Sequence, residues 1–119
     1  MKILWLSRHD MTNEQLNDLK RIYGEDIEIK HHTDTVKDWK EVVEIGSDCD
    51  VLAVVLPVNI LMTLVSNYNK KPIIRSIASR IETGNLVANK ATGQLEKEFM
   101  FVHAGWEQVL KIEIQTMKL

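Results

Sequence analysis

The segment Val51-Leu52-Ala53-Val54-Val55-Leu56 is the constraint that the rest of the chain has to satisfy. A continuous apolar run rich in β-branched residues suits a strand covered on both faces, as in the centre of a parallel sheet. Pro57 has no N–H to give to a ladder and so ends the strand. Asn59 then offers a cap for a helix running to about Tyr68, with Ile60, Leu61, Leu64 and Val65 turned inward. A buried strand passing directly into a helix is the repeating unit of doubly wound α/β sheets, which bind ligands in the crevice outside the carboxyl ends of adjacent strands.

The start of the chain repeats this unit. Lys2 to Leu6 reads as a second fully covered strand, and the polar turn Ser7-Arg8-His9-Asp10 follows it. Thr12 and Gln15 have the spacing of a capping box, Leu16, Leu19, Ile22 and Tyr23 form a stripe at helical period, and Gly24 is a natural stop. Asp26 to Lys30 alternates as a strand nearer the sheet edge, and the tandem His31-His32 follows it. Because neighbouring residues of an extended segment point to opposite faces, this pair is not expected to chelate a metal jointly. Thr35 with Asp38 reads as a cap, and Val36, Trp39, Val42 and Val43 as the buried stripe of a helix ending near Gly46.

After Lys70-Lys71-Pro72 the pattern changes. Ile73 begins a strand expected to continue to Glu82, and the turn-forming stretch Thr83 to Gln94 reads as a loop. Glu98–Ala104 and Glu107–Gln115 are predicted to pair as a hairpin about Gly105, with Leu110, Ile112 and Ile114 facing the core. Residues 1–119 therefore predict one Rossmann-like three-layer α/β domain, a mostly parallel sheet with an antiparallel C-terminal hairpin extension.

Several function classes drop out. There is no GxGxxG after the first strand and no GxxxxGK[ST] anywhere, so a common dinucleotide-binding or P-loop site is not expected. The acids are not grouped as magnesium ligands, and the expected chemistry uses no metal and no cofactor. A net charge of -2 argues against binding long nucleic acid by charge alone. The single cysteine, Cys49, rules out an internal disulfide, reads as a small core residue and fits a reducing, cytoplasmic setting. No signal peptide is read, and the apolar run from Val51 to Val58 is too short to span a bilayer, so no membrane partner is expected.

The chemistry-bearing residues gather at the two strand-to-helix junctions. Ser7, Arg8, His9 and Thr12 offer a hydroxyl, a guanidinium able to fork two phosphate oxygens, an imidazole and a helix N-terminus. A solvated turn leading to a cap accounts for the same residues on structural grounds. Pro57 and Asn59 mark the second junction, and Arg75, starting a strand beside the crevice, is the basic residue expected to turn inward. His103 reads as a satisfied core histidine, and Trp106 as the cover of a core edge or part of a dimer contact.

The stretch Leu6-Ser7-Arg8-His9-Asp10-Met11-Thr12-Asn13-Glu14-Gln15 resembles the opening of the small stand-alone CRISPR-associated Rossmann-fold (CARF-like) proteins of the ring-nuclease type. That opening is an aliphatic strand, Ser-His, a Leu-Thr pair and a Glu-Gln helix start. The likeness covers about the first thirty residues; Arg8 is an insertion in the pattern, and Met11 stands where leucine is expected. The resemblance implies a homodimer that binds a cyclic oligoadenylate across its two-fold axis and, in a ring nuclease, opens it without metal by attack of an adenosine 2′-hydroxyl on the adjacent phosphate. Carried to this chain, it implies Arg8 and His9 as catalytic residues, and Ser7, Met11, Thr12, Pro57, Asn59 and Arg75 as ligand contacts. Two other readings stay open: a sensor or sponge that binds the nucleotide uncut, and a structural or interaction protein.

Overall fold

The computed structural model describes residues 1–119, in the order β1 (Lys2–Leu6), α1 (Asn13–Tyr23), β2 (Glu28–His32), α2 (Trp39–Ile45), β3 (Val51–Val54), α3 (Val58–Asn67), β4 (Ile73–Ala88) and β5 (Leu95–Gln108). The five strands form one sheet in the order β2-β1-β3-β4-β5, parallel from β2 to β4, with β5 antiparallel at the edge. This is the expected α/β, Rossmann-like three-layer architecture. Strand order reverses between β1 and β3, because β1 leads outward to β2 and β3 leads the other way to β4.

Strict alternation along β1 and β3 divides the core. Leu4, Leu6, Leu52 and Val54 pack with Val36, Val42, Leu61 and Leu64 beneath α2 and α3. Ile3, Trp5, Val51 and Ala53 pack with Leu19 beneath α1. Each fully buried leucine contributes about 1.5–3 kcal/mol relative to exposure. Cys49 lies in the first cluster, and burial pushes its thiol above the ordinary range, as expected of an inert packing residue. Gly46, just past α2, lies where a Cβ would collide with the Leu52 side chain, so the close approach of helix to strand needs glycine.

The capping box is formed: Gln15 N–H donates to Thr12 Oγ1 at 3.1 Å and Thr12 N–H donates to Gln15 Oε1 at 2.9 Å. Gly24, at φ 107°, stops the helix. Two cap readings need correction. The cap of α2 is Asp38, whose Oδ1 accepts from Glu41 N–H at 2.9 Å, and Thr35 lies outside the helix. Pro57 occupies the N-cap of α3 and Asn59 falls inside its first turn, because proline's fixed φ starts the helix without a side-chain cap.

The last third departs most from expectation. Residues 83–88 extend β4, and the connecting turn is confined to Asn89–Gln94, where Asn89 Oδ1 accepts from the N–H groups of Ala91 and Thr92. There is no hairpin about Gly105. β5 runs unbroken from Leu95 to Gln108 and pairs with β4, the register slipping between Ile77 and Ala78 opposite Gly105 and His103, so Ala104 forms a bulge. Residues 109–119 form no strand. Ile112 packs against the core, whereas Leu110 and Ile114 are exposed rather than core-facing.

Candidate functional site at the carboxyl ends of the strands

The parallel register brings three loops together. Leu6 lies beside His32 on one side and Val54 on the other, and the ladder closes with Ser7 N–H to His32 O at 3.1 Å and Val55 N–H to Leu6 O at 2.9 Å. The strands thus end level, at the point where the sheet order reverses. Between their exits lies a hollow of about 410 Å³ lined by Leu6, Ser7, Arg8 and His9 after β1, Thr33, Asp34, Thr35 and Val36 after β2, and Val55, Leu56 and Pro57 after β3. Its volume falls within the range of small-molecule sites, and the pattern of apolar walls with a few convergent polar groups is theirs too.

The β1 loop is held rigidly. Trp5, buried beneath α1, donates its indole N–H to the carbonyl of His9 at 2.9 Å, and the N–H of His9 donates to Ser7 Oγ at 3.2 Å. Ser7 is itself buried, and its carbonyl accepts from His31 Nε2 at 2.9 Å. His31 Nδ1 lies 3.7 Å from Asp10 Oδ1, so this histidine supports the loop rather than the hollow. Arg8 is exposed at the rim, where its guanidinium donates to Thr35 Oγ1 at 2.8 Å. It forms no ion pair, so its other donors are uncommitted. His9 is exposed and is one of the lining residues, and its imidazole makes no hydrogen bond within the chain.

Of the residues expected at the site, Ser7, Arg8, His9 and Pro57 meet in the hollow, and the other four do not. Met11 packs against the cluster beneath α1, on the opposite face of the sheet. Thr12 spends its N–H and hydroxyl on the capping box, so the amino end of α1 does not offer those groups to an anion. Asn59 is exposed on α3. Arg75 faces away and pairs with Glu107 on β5. Thr33, Asp34 and Thr35 are lining residues missed in the sequence, where Thr35 was read as a cap. The available signal was topological: in a parallel sheet the loop after β2 must surface beside the loop after β1.

A second polar group ties α1 to β5. Gln15 Nε2 donates to Ser76 Oγ at 3.1 Å, Ser76 Oγ lies 3.1 Å from His103 Nδ1, and His103 Nε2 donates to Asp18 Oδ2 at 2.9 Å. This bond from His103, reinforced by Arg21, holds the Asp18 carboxyl below its ordinary value of 3.8. Trp106 crosses Trp5 edge-to-face at 5.8 Å and donates to the carbonyl of Gln15 at 3.1 Å. His103 is thus satisfied, Trp106 covers a core edge, and Ser76 lines neither the hollow nor the shallower depression beside His103. Comparison with protein-family models, curated proteins and solved structures finds no match.

Proposed function

We propose that the hollow between the β1, β2 and β3 loops binds one adenylate unit of a cyclic oligoadenylate and that the chain opens the ring without metal. The observation carrying this reading is the Arg8 guanidinium, held at the rim by Thr35, free of any carboxylate and adjacent to an apolar slot of nucleotide size. A fork of uncommitted N–H donors is suited to non-bridging phosphate oxygens. In the reaction, the ligand's 2′-oxygen bonds to phosphorus and the bond from phosphorus to the 5′-oxygen breaks, leaving a 2′,3′-cyclic phosphate and a 5′-hydroxyl. Arg8 stabilises the charge on phosphorus, and His9, on a backbone pinned at both its N–H and its carbonyl, delivers a proton to the departing 5′-oxygen. The 2′-hydroxyl proton passes to water.

A second reading, binding without cutting, is favoured by the absence of any group that orients the His9 imidazole. Incubation with labelled cyclic oligoadenylates in EDTA separates the two. Ring opening by the wild type and its loss in His9→Ala support the nuclease. A raised thermal midpoint with ligand recovered intact supports the sensor. In either case Arg8→Ala should weaken binding by about 10- to 100-fold, the value of a charged hydrogen bond, with the fold unchanged. Wild-type affinity in Arg8→Ala would show that the hollow does not receive the phosphate.

A further inference from the structure

Past Ile74, β4 leaves the sheet with β5 as a two-stranded arm, so the hollow is walled by the loops after β1, β2 and β3 alone. Three of its lining residues can carry a charge. Arg8 and His9 come from the β1 loop, and Asp34 comes from the β2 loop. Asp34 is exposed, and its carboxylate makes no hydrogen bond and no ion pair within the chain. The loop on either side of it is nonetheless fixed. The His32 carbonyl accepts from Ser7 N–H at 3.1 Å, Thr35 Oγ1 accepts from the Arg8 guanidinium at 2.8 Å, and Val36 is buried among the side chains beneath α2 and α3. A free carboxylate on a loop already ordered meets a donor without the entropy cost of fixing that loop.

The Arg8 guanidinium donates to the neutral hydroxyl of Thr35 and not to the carboxylate of the residue before it. One hollow therefore holds a cation and an anion that do not neutralise each other. A bare phosphate would meet repulsion from Asp34, and a bare ammonium would meet it from Arg8. The ligand that suits both carries an anionic group with a neutral hydrogen-bond donor beside it. Consecutive Cα atoms lie about 3.8 Å apart, so Asp34 is a near neighbour of the group that holds the guanidinium. In a ribonucleotide the donor next to a phosphate is the ribose hydroxyl, whereas the amino group of the base lies at the far end of the molecule. The sheet order β2-β1-β3 puts the apolar wall of Val55, Leu56 and Pro57 on the other side of the β1 loop, where it suits the base.

We infer that Asp34 determines the sugar specificity of the hollow: its carboxylate accepts a hydrogen bond from the 2′-hydroxyl beside the phosphate held by Arg8, so the site takes ribonucleotides and rejects their 2′-deoxy counterparts. This inference rests on the nucleotide reading of the hollow given above. A 2′-deoxy ligand would cover the carboxylate without offering it a donor, and a site that presents an acceptor to a hydroxyl discriminates against the analogue that lacks the hydroxyl. Removal of the carboxylate has two opposed effects on affinity, because the hydrogen bond is lost and the repulsion of the neighbouring phosphate is relieved. The ratio of affinities for ribo and 2′-deoxy ligands isolates the hydrogen bond, since both ligands carry the same phosphates.

The test titrates cyclic oligoadenylates and their 2′-deoxy counterparts into the full chain carrying His9→Ala, so that the ring is not consumed. The ribo rings should bind about 10- to 100-fold more tightly, the value of a hydrogen bond to a charged group. Asp34→Ala in the same background should abolish that preference, and Asp34→Asn, which keeps an acceptor without the charge, should retain part of it. If His9→Ala itself does not bind, the thermal midpoints of the wild type and Asp34→Ala with the same rings decide. Equal binding of ribo and 2′-deoxy rings overturns the inference and leaves the nucleotide reading standing. So does a ribo preference that survives in Asp34→Ala, and so does an Asp34→Ala chain that loses discrimination between adenylate and inosinate rings instead, which would assign the carboxylate to the base. A wild type that binds no ring of either sugar overturns the nucleotide reading and this inference together.

Discussion

The parallel half of the molecule and the β4–β5 arm are built from strands of similar chemistry with opposite burial. Every residue from Ile3 to Leu6 and from Val51 to Val54 is buried, whereas β5 buries none of its fourteen. The difference lies in the cover and not in the propensity. Helices α2 and α3 lie on one face of β1 and β3 and α1 on the other, but α1 reaches the arm only through Asp18, Gln15 and their partners. A sheet segment acquires a core where crossover helices return over it, and the last connection, the turn at Asn89–Gln94, brings no helix back.

The largest test of that contrast is a pair of truncations in dilute solution. Leu52→Ala removes a fully buried side chain from between α2, α3 and β1, and urea unfolding should show a loss of about 2–5 kcal/mol. Phe101→Ala, on the exposed face of the arm, should stay within about 0.5 kcal/mol at protein concentrations too low for association. An equal loss at both positions would mean that the arm and the parallel half share one cooperative core.

A smaller effect sharpens the placement of the site. Thr12→Ala removes the capping box and should cost about 1 kcal/mol. Because Thr12 does not line the hollow, the thermal shift produced by ligand should be unchanged. A folded Thr12→Ala protein that no longer responds to ligand would return the anion site to the amino end of α1.

The same contrast explains what could be read in the sequence. The parallel half was legible because its signals are local and agree: unbroken apolar strands, helical stripes at Leu16, Leu19 and Val42, and the Thr12–Gln15 box. In the arm, Thr83-Gly84-Asn85 and Gly105 carry turn chemistry, yet both sit at register slips within continuous strands, Gly84 at φ 85° and Gly105 at φ 140°. A glycine with positive φ serves a turn and a bulge equally well, and only pairing across the ribbon decides between them. The alternating run Leu110 to Gln115 looks like a strand by period, but it joins none of the strands of the sheet. The site was half legible for a related reason. Ser7, Arg8 and His9 follow from the end of β1, whereas Thr33 to Thr35 depend on β2 lying beside β1.

Two carboxylates, one within the parallel half and one that ties α1 to the arm, give the smallest effect and the finest discrimination. Asp48 accepts from Lys2 Nζ at 2.8 Å and from Lys30 Nζ at 2.9 Å, joining the start of β1 to the middle of β2. Those bonds hold its carboxyl far below 3.8, further than His103 and Arg21 hold Asp18. A carboxyl depressed by folding contributes stability that is complete above its unfolded value. As pH falls from about 5 to 2, the unfolded chain takes up the proton first, and the contribution is lost progressively as the folded value is approached. The thermal midpoint of the wild type should therefore fall across this window, and Asp48→Asn should flatten that fall more than Asp18→Asn does. At the alkaline end the sign reverses. The bond to Asp48 raises Lys2 above 10.5, so its contribution is full below that value and is lost as pH rises through the folded one. A steeper alkaline loss in the wild type than in Asp48→Asn would place both effects in the one bridge between β1 and β2; equal acid profiles in the two variants would show that this bridge and the tie between α1 and the arm contribute alike.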